Sequence, residues 1–141
     1  MSPILETVSE FATEPPHVFV EDLTLASIAE VARQFPLGDM GERMKRYHAD
    51  PLALFGDWSR IWLAPEFRNW DITASLPDVT APSLLIQGRD DQYGTQRQLD
   101  AIAASMPVRA RLEPDDCGHS PHFDARDKLL GAIAKFLDGK D

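Results

Sequence analysis

The stretch PSLLIQGRDD, residues 82–91, decides the fold of this chain. Residues 83–87 form a largely apolar run that stops at Gly88. A run of this kind is typical of a strand covered on both faces, as in a parallel sheet. A polar loop follows, and Asp91 lies three residues past the glycine. The stretch therefore predicts a buried parallel strand whose carboxyl end leads into a loop with a carboxylate.

The residues after this loop predict a helix and a second strand. Thr95 and Gln98 have the spacing of a capping box, so we expect Thr95 to be the N-cap of a helix that ends at Pro107. Residues 108–112 alternate apolar and polar side chains, as a half-covered or edge strand does. The helix is expected to turn Leu99, Ile102, Ala103 and Met106 toward the core.

A last helix is expected near residues 125–138, followed by Gly139. Residues 83–138 thus have the order β-α-β-α, which implies two adjacent parallel strands joined by a right-handed crossover. The predicted fold class is α/β. The residues that this helix is expected to bury are Leu129, Leu130, Ile133, Phe136 and Leu137.

The chain before residue 79 has mainly helical patterns. Helices are predicted over residues 24–35 and 40–48, and Asp50-Pro51 supplies an N-cap and a first residue for a third helix. The third helix has apolar side chains around most of its circumference, so we expect it to be buried on two sides. Three weaker patterns are an amphipathic turn over residues 4–11, an extended stretch over 17–20 and an irregular segment over 65–78 anchored by Phe67, Trp70 and Ile72.

Composition and charge limit the class of protein. A length of 141 residues suits one domain, and 43% apolar with 26% charged residues is globular in character. A net charge of -9 argues against nucleic acid and against an anionic membrane surface as partners. A single cysteine, no bilayer-length apolar run and no signal-like start predict a cytoplasmic protein.

Asp91 and His119 are the first candidates for chemistry. In a parallel sheet, ligands bind beyond the carboxyl ends of the strands, and each of these residues lies in a loop that follows one of the two predicted strands. A carboxylate that accepts a hydrogen bond from imidazole Nδ1 fixes the tautomer and stabilises the imidazolium. An acid–base pair is thus one interpretation, while turn formation by the aspartate and a solvated histidine is the other.

Residues 82–91, together with DCGHSPH over 116–122, resemble the α/β-hydrolase superfamily. In that family an apolar strand ends in glycine, the acid follows three residues later, and a Gly-His pair comes after the next strand. The resemblance implies that Asp91 is the acid and His119 the base of a nucleophile–His–acid triad, with Asp90 as the alternative acid. It implies hydrolysis of an ester or related bond in a small apolar substrate, without a cofactor.

The same resemblance implies a helical cap over the substrate site. It divides the chain into residues 1–21, an altered amino-terminal segment and entry to the cap, residues 22–72, the cap-like region, and residues 73–141, the carboxyl-terminal part of the core. Aromatic side chains of the cap either line an apolar substrate pocket or form the core of the cap. The candidates for substrate binding are Trp58, Trp62 and Phe67 of the cap and His17 at its entry.

The nucleophile of the family is missing from these 141 residues. It occurs in G-x-S-x-G, or an Asp version, and no serine here has glycines two residues away on both sides. The short strand that the family places before the cap is expected to be replaced by residues 4–14, as in a truncated gene. The edge of the 83–87 strand should then be open, which favours a homo-oligomer or a complementary chain.

Two other functions compete with this hypothesis. The chain alone is expected to have little or no activity, so a non-catalytic remnant that binds a ligand or a partner is the alternative. A zinc site is the third candidate, and it is not expected, because structural zinc sites usually draw ligands from two separated knuckles. The side chains that such a site would use are Cys117, His119, His122 and Asp124.

Overall fold

The computed structural model describes residues 10–139. The amphipathic turn expected over residues 4–11 lies outside this range except for its end. In chain order the elements are β1 (Phe11–Thr13), α1 (Asp22–Gln34), α2 (Met40–Met44), α3 (Pro51–Leu63), 3₁₀ helices at Pro65–Asn69 and Thr73–Asp78, β2 (Ser83–Ile86), α4 (Arg97–Ser105), β3 (Val108–Leu112), α5 (Pro121–Asp124) and α6 (Arg126–Leu137).

Residue contacts divide the chain into two units. Unit 1 comprises Met1–Phe19 and Asp71–Asp141, of which residues 10–19 and 71–139 are described, and unit 2 is Val20–Trp70. Among the described residues, no helix has both the length and the apolar character needed to cross a bilayer.

Unit 1 is built on a parallel sheet in the order β1-β2-β3. The central strand β2 is buried along its whole length. Alternate side chains of a strand point to opposite faces, so β2 contributes to two separate cores. Leu85 packs with α4 on one face, while Leu84 and Ile86 pack with α6 on the other. The predicted α/β class and the β-α-β-α unit with two parallel strands are therefore confirmed.

One expectation from the sequence is wrong, and it concerns the strand β1. The sequence predicted that residues 4–14 would replace the strand before the cap and leave an edge of the 83–87 strand open. Instead Phe11–Thr13 pairs in parallel with β2, with Ala12 opposite Leu84. The paired residues are 72 positions apart in the sequence, and no local pattern encodes that pairing. Within residues 10–139, β1 and not β2 is therefore the edge strand on this side of the sheet, and its Phe11 is 43% exposed.

The helices of unit 1 depart from prediction in detail. Helix α4 begins at Arg97, two residues after Thr95, although Thr95 Oγ1 does accept a hydrogen bond from the Arg97 N–H at 3.3 Å. Ala103 is exposed, whereas Leu99, Ile102 and Met106 are buried as expected. Leu130 and Leu137 of α6 are also exposed, because the helix contacts β2 and β3 along a narrower stripe than its apolar pattern suggested.

Unit 2 interrupts the sequence of unit 1 between Phe19 and Asp71, and a short antiparallel ladder joins the two ends. Phe19 and Asp71 form an antiparallel bridge, and the Ile72 N–H donates to the Val18 carbonyl at 2.8 Å. The buried Gln98 of α4 reinforces the ladder: its Oε1 accepts from the Val18 N–H at 2.8 Å, and its Nε2 donates to the Phe19 carbonyl at 3.1 Å. Gln98, which was predicted to take part in a capping box, thus holds the backbone of Val18 and Phe19 in place.

Unit 2 consists of α1 packed on α3, with the short α2 between them. Asp50 caps α3 as predicted, accepting a hydrogen bond from the Ala53 N–H at 3.0 Å. The expectation that α3 is buried on two sides is wrong, since only Pro51 and Ser59 are buried and Leu52 is 57% exposed. Helix α2 ends at Met44, short of the predicted His48, because the residues after it form a turn.

Candidate active site

Asp91 and His119 meet at the carboxyl edge of the sheet. Asp91 lies in the loop after β2 and His119 in the loop after β3. His119 Nδ1 is 2.9 Å from Oδ1 and 3.0 Å from Oδ2 of Asp91. The Asp91 side chain is fully buried, whereas 34% of the His119 side chain is exposed. With Nδ1 bound to the carboxylate, Nε2 is the nitrogen left to exchange a proton with another group.

Two further groups hold the Asp91 carboxylate in place. The Tyr93 N–H donates to Oδ1 at 2.8 Å, and Gln87 Nε2 donates to Oδ2 at 3.2 Å while also reaching the Gly94 carbonyl at 2.8 Å. Burial by itself would raise the pKa of the Asp91 carboxyl. The hydrogen bonds and charge of His119, together with the Tyr93 and Gln87 donors, outweigh burial and lower that pKa below its ordinary value.

This lowered pKa predicts a specific acid sensitivity. A carboxyl with a lower pKa in the folded state stabilises the fold fully above its unfolded pKa of about 4, and the contribution disappears as pH falls through the folded pKa. The free energy of unfolding, measured in urea from pH 6 to pH 2.5, should therefore decline less steeply in Asp91→Asn than in wild type. The exposed neighbour Asp90→Asn is the control, and an unchanged slope in Asp91→Asn would contradict the prediction.

Gly88 allows the two loops to approach. A Cβ atom at this position would lie 2.0 Å from the Cys117 carbonyl oxygen and 2.3 Å from that of Gly118. The same approach lets the Asp90 N–H donate to the Cys117 carbonyl at 3.0 Å. The sequence did identify this glycine as the end of the strand, but gave no sign of the backbone that lies against it.

The loop with His119 is held on both sides. Asp124 Oδ2 accepts a hydrogen bond from the Gly118 N–H at 2.9 Å. Glu14, just past β1, accepts from the His122 N–H at 3.0 Å and contacts the His122 ring. These two carboxylates fix the backbone before and after His119. Neither was predicted from the sequence, because their partners lie in loops whose proximity depends on the sheet.

Aromatic rings surround the imidazole. The Tyr93 ring lies edge-on to His119 at a centroid distance of 4.8 Å, and the His17 ring is 5.9 Å away. Burial, and then the charge of Asp91, raise the pKa of Tyr93, so this phenol stays protonated across the neutral range. His17, which was predicted to bind substrate, lies in the same unit as His119, and its ring is next to the imidazole.

The other predicted substrate-binding residues form part of an aromatic row in unit 2. The Trp58 and Trp62 rings are 6.2 Å apart, and Phe67 meets Trp62 edge-on at 5.1 Å. Phe35, Phe55 and Trp70 continue the row. Trp58 keeps 44% of its surface exposed, while Trp62 and Phe67 are half-buried. Phe35 is the buried member of the row, and a role of the other rings in binding substrate stays a prediction.

The remaining candidates have other contacts. Asp90, the alternative acid, is exposed, and the imidazole of His119 bonds to Asp91 instead. Cys117 is buried, and burial followed by nearby carboxylates raises the pKa of its thiol. Between residues 10 and 139 the structure gathers no group of three or more Cys, His, Asp or Glu side chains that could hold a metal ion.

Comparison with known proteins identifies the fold on which this site lies. No protein-family model and no curated protein sequence matches the chain. Solved structures do match. An enol-lactonase from Burkholderia xenovorans LB400 aligns with a TM-score of 0.58 and 16% identity over 93% of this chain and 56% of its own. An esterase from Exiguobacterium antarcticum aligns with a TM-score of 0.58 and 16% identity over 93% and 57%.

A thermophilic esterase from Thermogutta terrifontis aligns with a TM-score of 0.54 and 17% identity over 97% of this chain and 58% of its own. The chain has the fold of part of an α/β-hydrolase. It spans just over half of the length of these three structures, so it corresponds to part of the α/β-hydrolase fold. Asp91 and His119 thus lie on a scaffold that hydrolases also use, in the loops after its last two described strands.

Proposed function

We propose that this chain supplies the acid and the base of an α/β-hydrolase active site. The observation that carries the proposal is the contact of His119 Nδ1 with both oxygens of the buried Asp91 carboxylate. Asp91 orients the imidazole and stabilises its positive charge, and His119 Nε2 accepts the proton of the attacking group. The reaction is cleavage of an ester or related bond in a small apolar substrate, with Trp58, Trp62, Phe67 and His17 as the proposed binding residues.

The nucleophile comes from outside these 141 residues, because no serine in them lies in G-x-S-x-G. The polypeptide that supplies it docks along the outer edge of β1. Among the described residues no strand pairs with that edge. The opposite edge strand, β3, carries Arg109 and Arg111, which form ion pairs with Glu10 and Asp100, and charged side chains on an edge strand discourage a further strand. In this arrangement Val20–Trp70 serves as the cap and the chain acts in the cytoplasm.

The test begins with the DNA upstream of the Met1 codon, where we expect a reading frame that encodes G-x-S-x-G or its Asp version. The chain alone should neither hydrolyse p-nitrophenyl acetate nor react with a fluorophosphonate. Co-expression with the upstream product should restore ester hydrolysis, because the nucleophile and the oxyanion donors are then present. Labelling of the chain alone, lost in His119→Ala, would contradict the proposed division of the site.

One substitution tests the docking edge. Phe11 directs its N–H inward to the Pro82 carbonyl, so alternation along the strand directs the N–H of Ala12 outward. Ala12→Pro removes that donor and should abolish association and restored activity together. Ala12→Val keeps the donor and is the matched control. Activity that survives Ala12→Pro would exclude this edge.

A non-catalytic remnant that binds a ligand or a partner is the second candidate. The missing nucleophile elbow favours it. Upstream DNA that encodes no nucleophile, combined with a chain that reacts with no fluorophosphonate, would select this function over the first.

A further inference from the structure

Glu14 lies just past the carboxyl end of β1, at the edge of the sheet that also carries Asp91 and His119. The strand order is β1-β2-β3, so the loop that follows β3 is two strands away from Glu14. Glu14 nevertheless reaches that loop. Its Oε1 accepts a hydrogen bond from the His122 N–H at 3.0 Å and lies 2.5 Å from Nδ1 of the same residue. The contact therefore crosses the edge at which β2 ends.

The local sequence restricts the backbone that carries the Glu14 side chain. Pro15 and Pro16 follow it directly. A residue before proline is held near the extended region, and each proline fixes its own φ, so this segment has few alternative conformations. The Glu14 side chain is 23% exposed, which leaves water only limited access to compete for His122.

The loop after β3 is tied to other strands on both sides of His119. Before His119, the Cys117 carbonyl accepts a hydrogen bond from the Asp90 N–H at 3.0 Å, which ties the loop to the one after β2. After His119, the contact of His122 with Glu14 ties it to β1. His122 is three residues past His119, so a shift of its backbone is passed on to the imidazole.

We propose that Glu14 is a positioning residue: by holding His122, it keeps the imidazole of His119 against the Asp91 carboxylate. A hydrogen bond weakens steeply as its angle departs from linear, so a small rotation of the ring is enough to lose it. The geometric claim stands without any hydrolase activity, and only the role of His119 as a base rests on the proposed function. In that function β1 receives the polypeptide with the nucleophile and, through Glu14, also holds the base.

Glu10 supplies a matched control at the other end of β1. Its carboxylate pairs with Arg109 at 3.0 Å, and its side chain is 27% exposed compared with 23% for Glu14. Replacement of either glutamate by alanine therefore removes a contact of β1 with similar burial, but the Glu10 contact lies at the opposite edge of the sheet from His119. Glu14→Gln keeps the Oε1 acceptor and is the conservative variant.

The ¹⁵N chemical shifts of the His119 ring test the proposal on the purified chain alone, with His119→Ala to assign the signals. At about pH 9, where an ordinary imidazole is neutral, Asp91 should hold the proton on Nδ1, and the shifts of the two ring nitrogens should lie far apart. They should stay apart in Glu10→Ala and Glu14→Gln. In Glu14→Ala they should converge, because the loosened ring exchanges between its two tautomers.

Each other result has a defined meaning. Shifts that stay apart in Glu14→Ala would overturn the proposal and leave the proposed function intact. Convergence in Glu10→Ala as well would show that Glu14 only holds β1 on the sheet, which also overturns it. Shifts that are already close in wild type would contradict the Asp91–His119 contact and thus the proposed function too.

Turnover of the complemented enzyme gives a second measure at saturating upstream product. Glu14→Ala should lower kcat by about 10- to 100-fold with little change in KM, since the base is displaced while substrate binding is not. Glu14→Gln should recover most of this loss. Glu14→Asp keeps the charge but is one methylene shorter, and it covers the case in which Glu14→Ala does not fold. A kcat in folded Glu14→Asp equal to that of wild type would count against the proposal.

Discussion

Gly88→Ala is expected to leave the chain unfolded or close to it. The added methyl carbon would lie 2.0 Å from one backbone carbonyl oxygen and 2.3 Å from the next, distances that no Cβ atom tolerates. Both oxygens belong to backbone, so relief requires the Cys117–Gly118 segment to move away from β2. Such a shift would break the Asp90–Cys117 hydrogen bond and separate Asp91 from His119. A small domain has only about 5–15 kcal/mol of stability to lose.

Circular dichroism during urea unfolding measures this loss, with Gly131→Ala as the matched control. Gly131 lies in α6, where an added Cβ would meet nothing within 4 Å. Alanine favours a helix over glycine by about 1 kcal/mol, so Gly131→Ala should be slightly more stable than wild type. If Gly88→Ala kept its stability to within about 1 kcal/mol, the close approach of the two loops would be refuted.

Asp91→Asn is expected to lower the turnover of the complemented enzyme by about 10⁴-fold, with little change in KM. Asparagine keeps the shape of aspartate but can offer an N–H to Nδ1 of His119, which favours the tautomer with its proton on Nε2. That tautomer cannot accept a proton from the nucleophile. His119→Ala should cost at least as much, because the base itself is then gone.

Asp90→Asn is the control for this series, since the exposed Asp90 is the neighbouring carboxylate in the same loop. Its turnover should stay within about twofold of wild type. The reverse result, with a large loss in Asp90→Asn and a small one in Asp91→Asn, would show that the other carboxylate is the acid. Equal small losses of turnover in Asp90→Asn and Asp91→Asn would show that the acid–base pair takes no part in the mechanism.

The sequence alone predicted the part of the fold that local patterns encode. The run at residues 83–87 indicated a strand covered on both faces, and β2 is buried throughout. Its glycine end and the Gly-His pair in the following loop were enough to place Asp91 and His119 at one edge of a sheet. Asp50-Pro51 predicted the start of α3, because a helix N-cap is a local structure whose hydrogen bond spans only three residues.

Features that depend on distant partners were missed. Phe11–Thr13 is a strand only because β2 is beside it, and its three residues carry no alternating pattern. Gln87 and Glu14 support the site through hydrogen bonds that form only once the sheet edge is assembled. Helix α3 shows the limit of apolar patterns. Its composition predicted burial, but an apolar side chain is not excluded from the surface, and Leu52 and Ile61 are exposed.

The ladder at Val18 and Ile72 has an evolutionary consequence. The 51-residue unit from Val20 to Trp70 enters and leaves through neighbouring positions, with the Val20 N–H donating to the Trp70 carbonyl at 3.3 Å. Gln98 secures the entry strand from α4, a part of the core that the insertion does not interrupt. Because the two ends of the unit are adjacent and are held by the core, the helices between them can become longer or shorter, or be exchanged, without a change in the sheet. Diversity would then accumulate between residues 20 and 70 while the junction itself stayed constant.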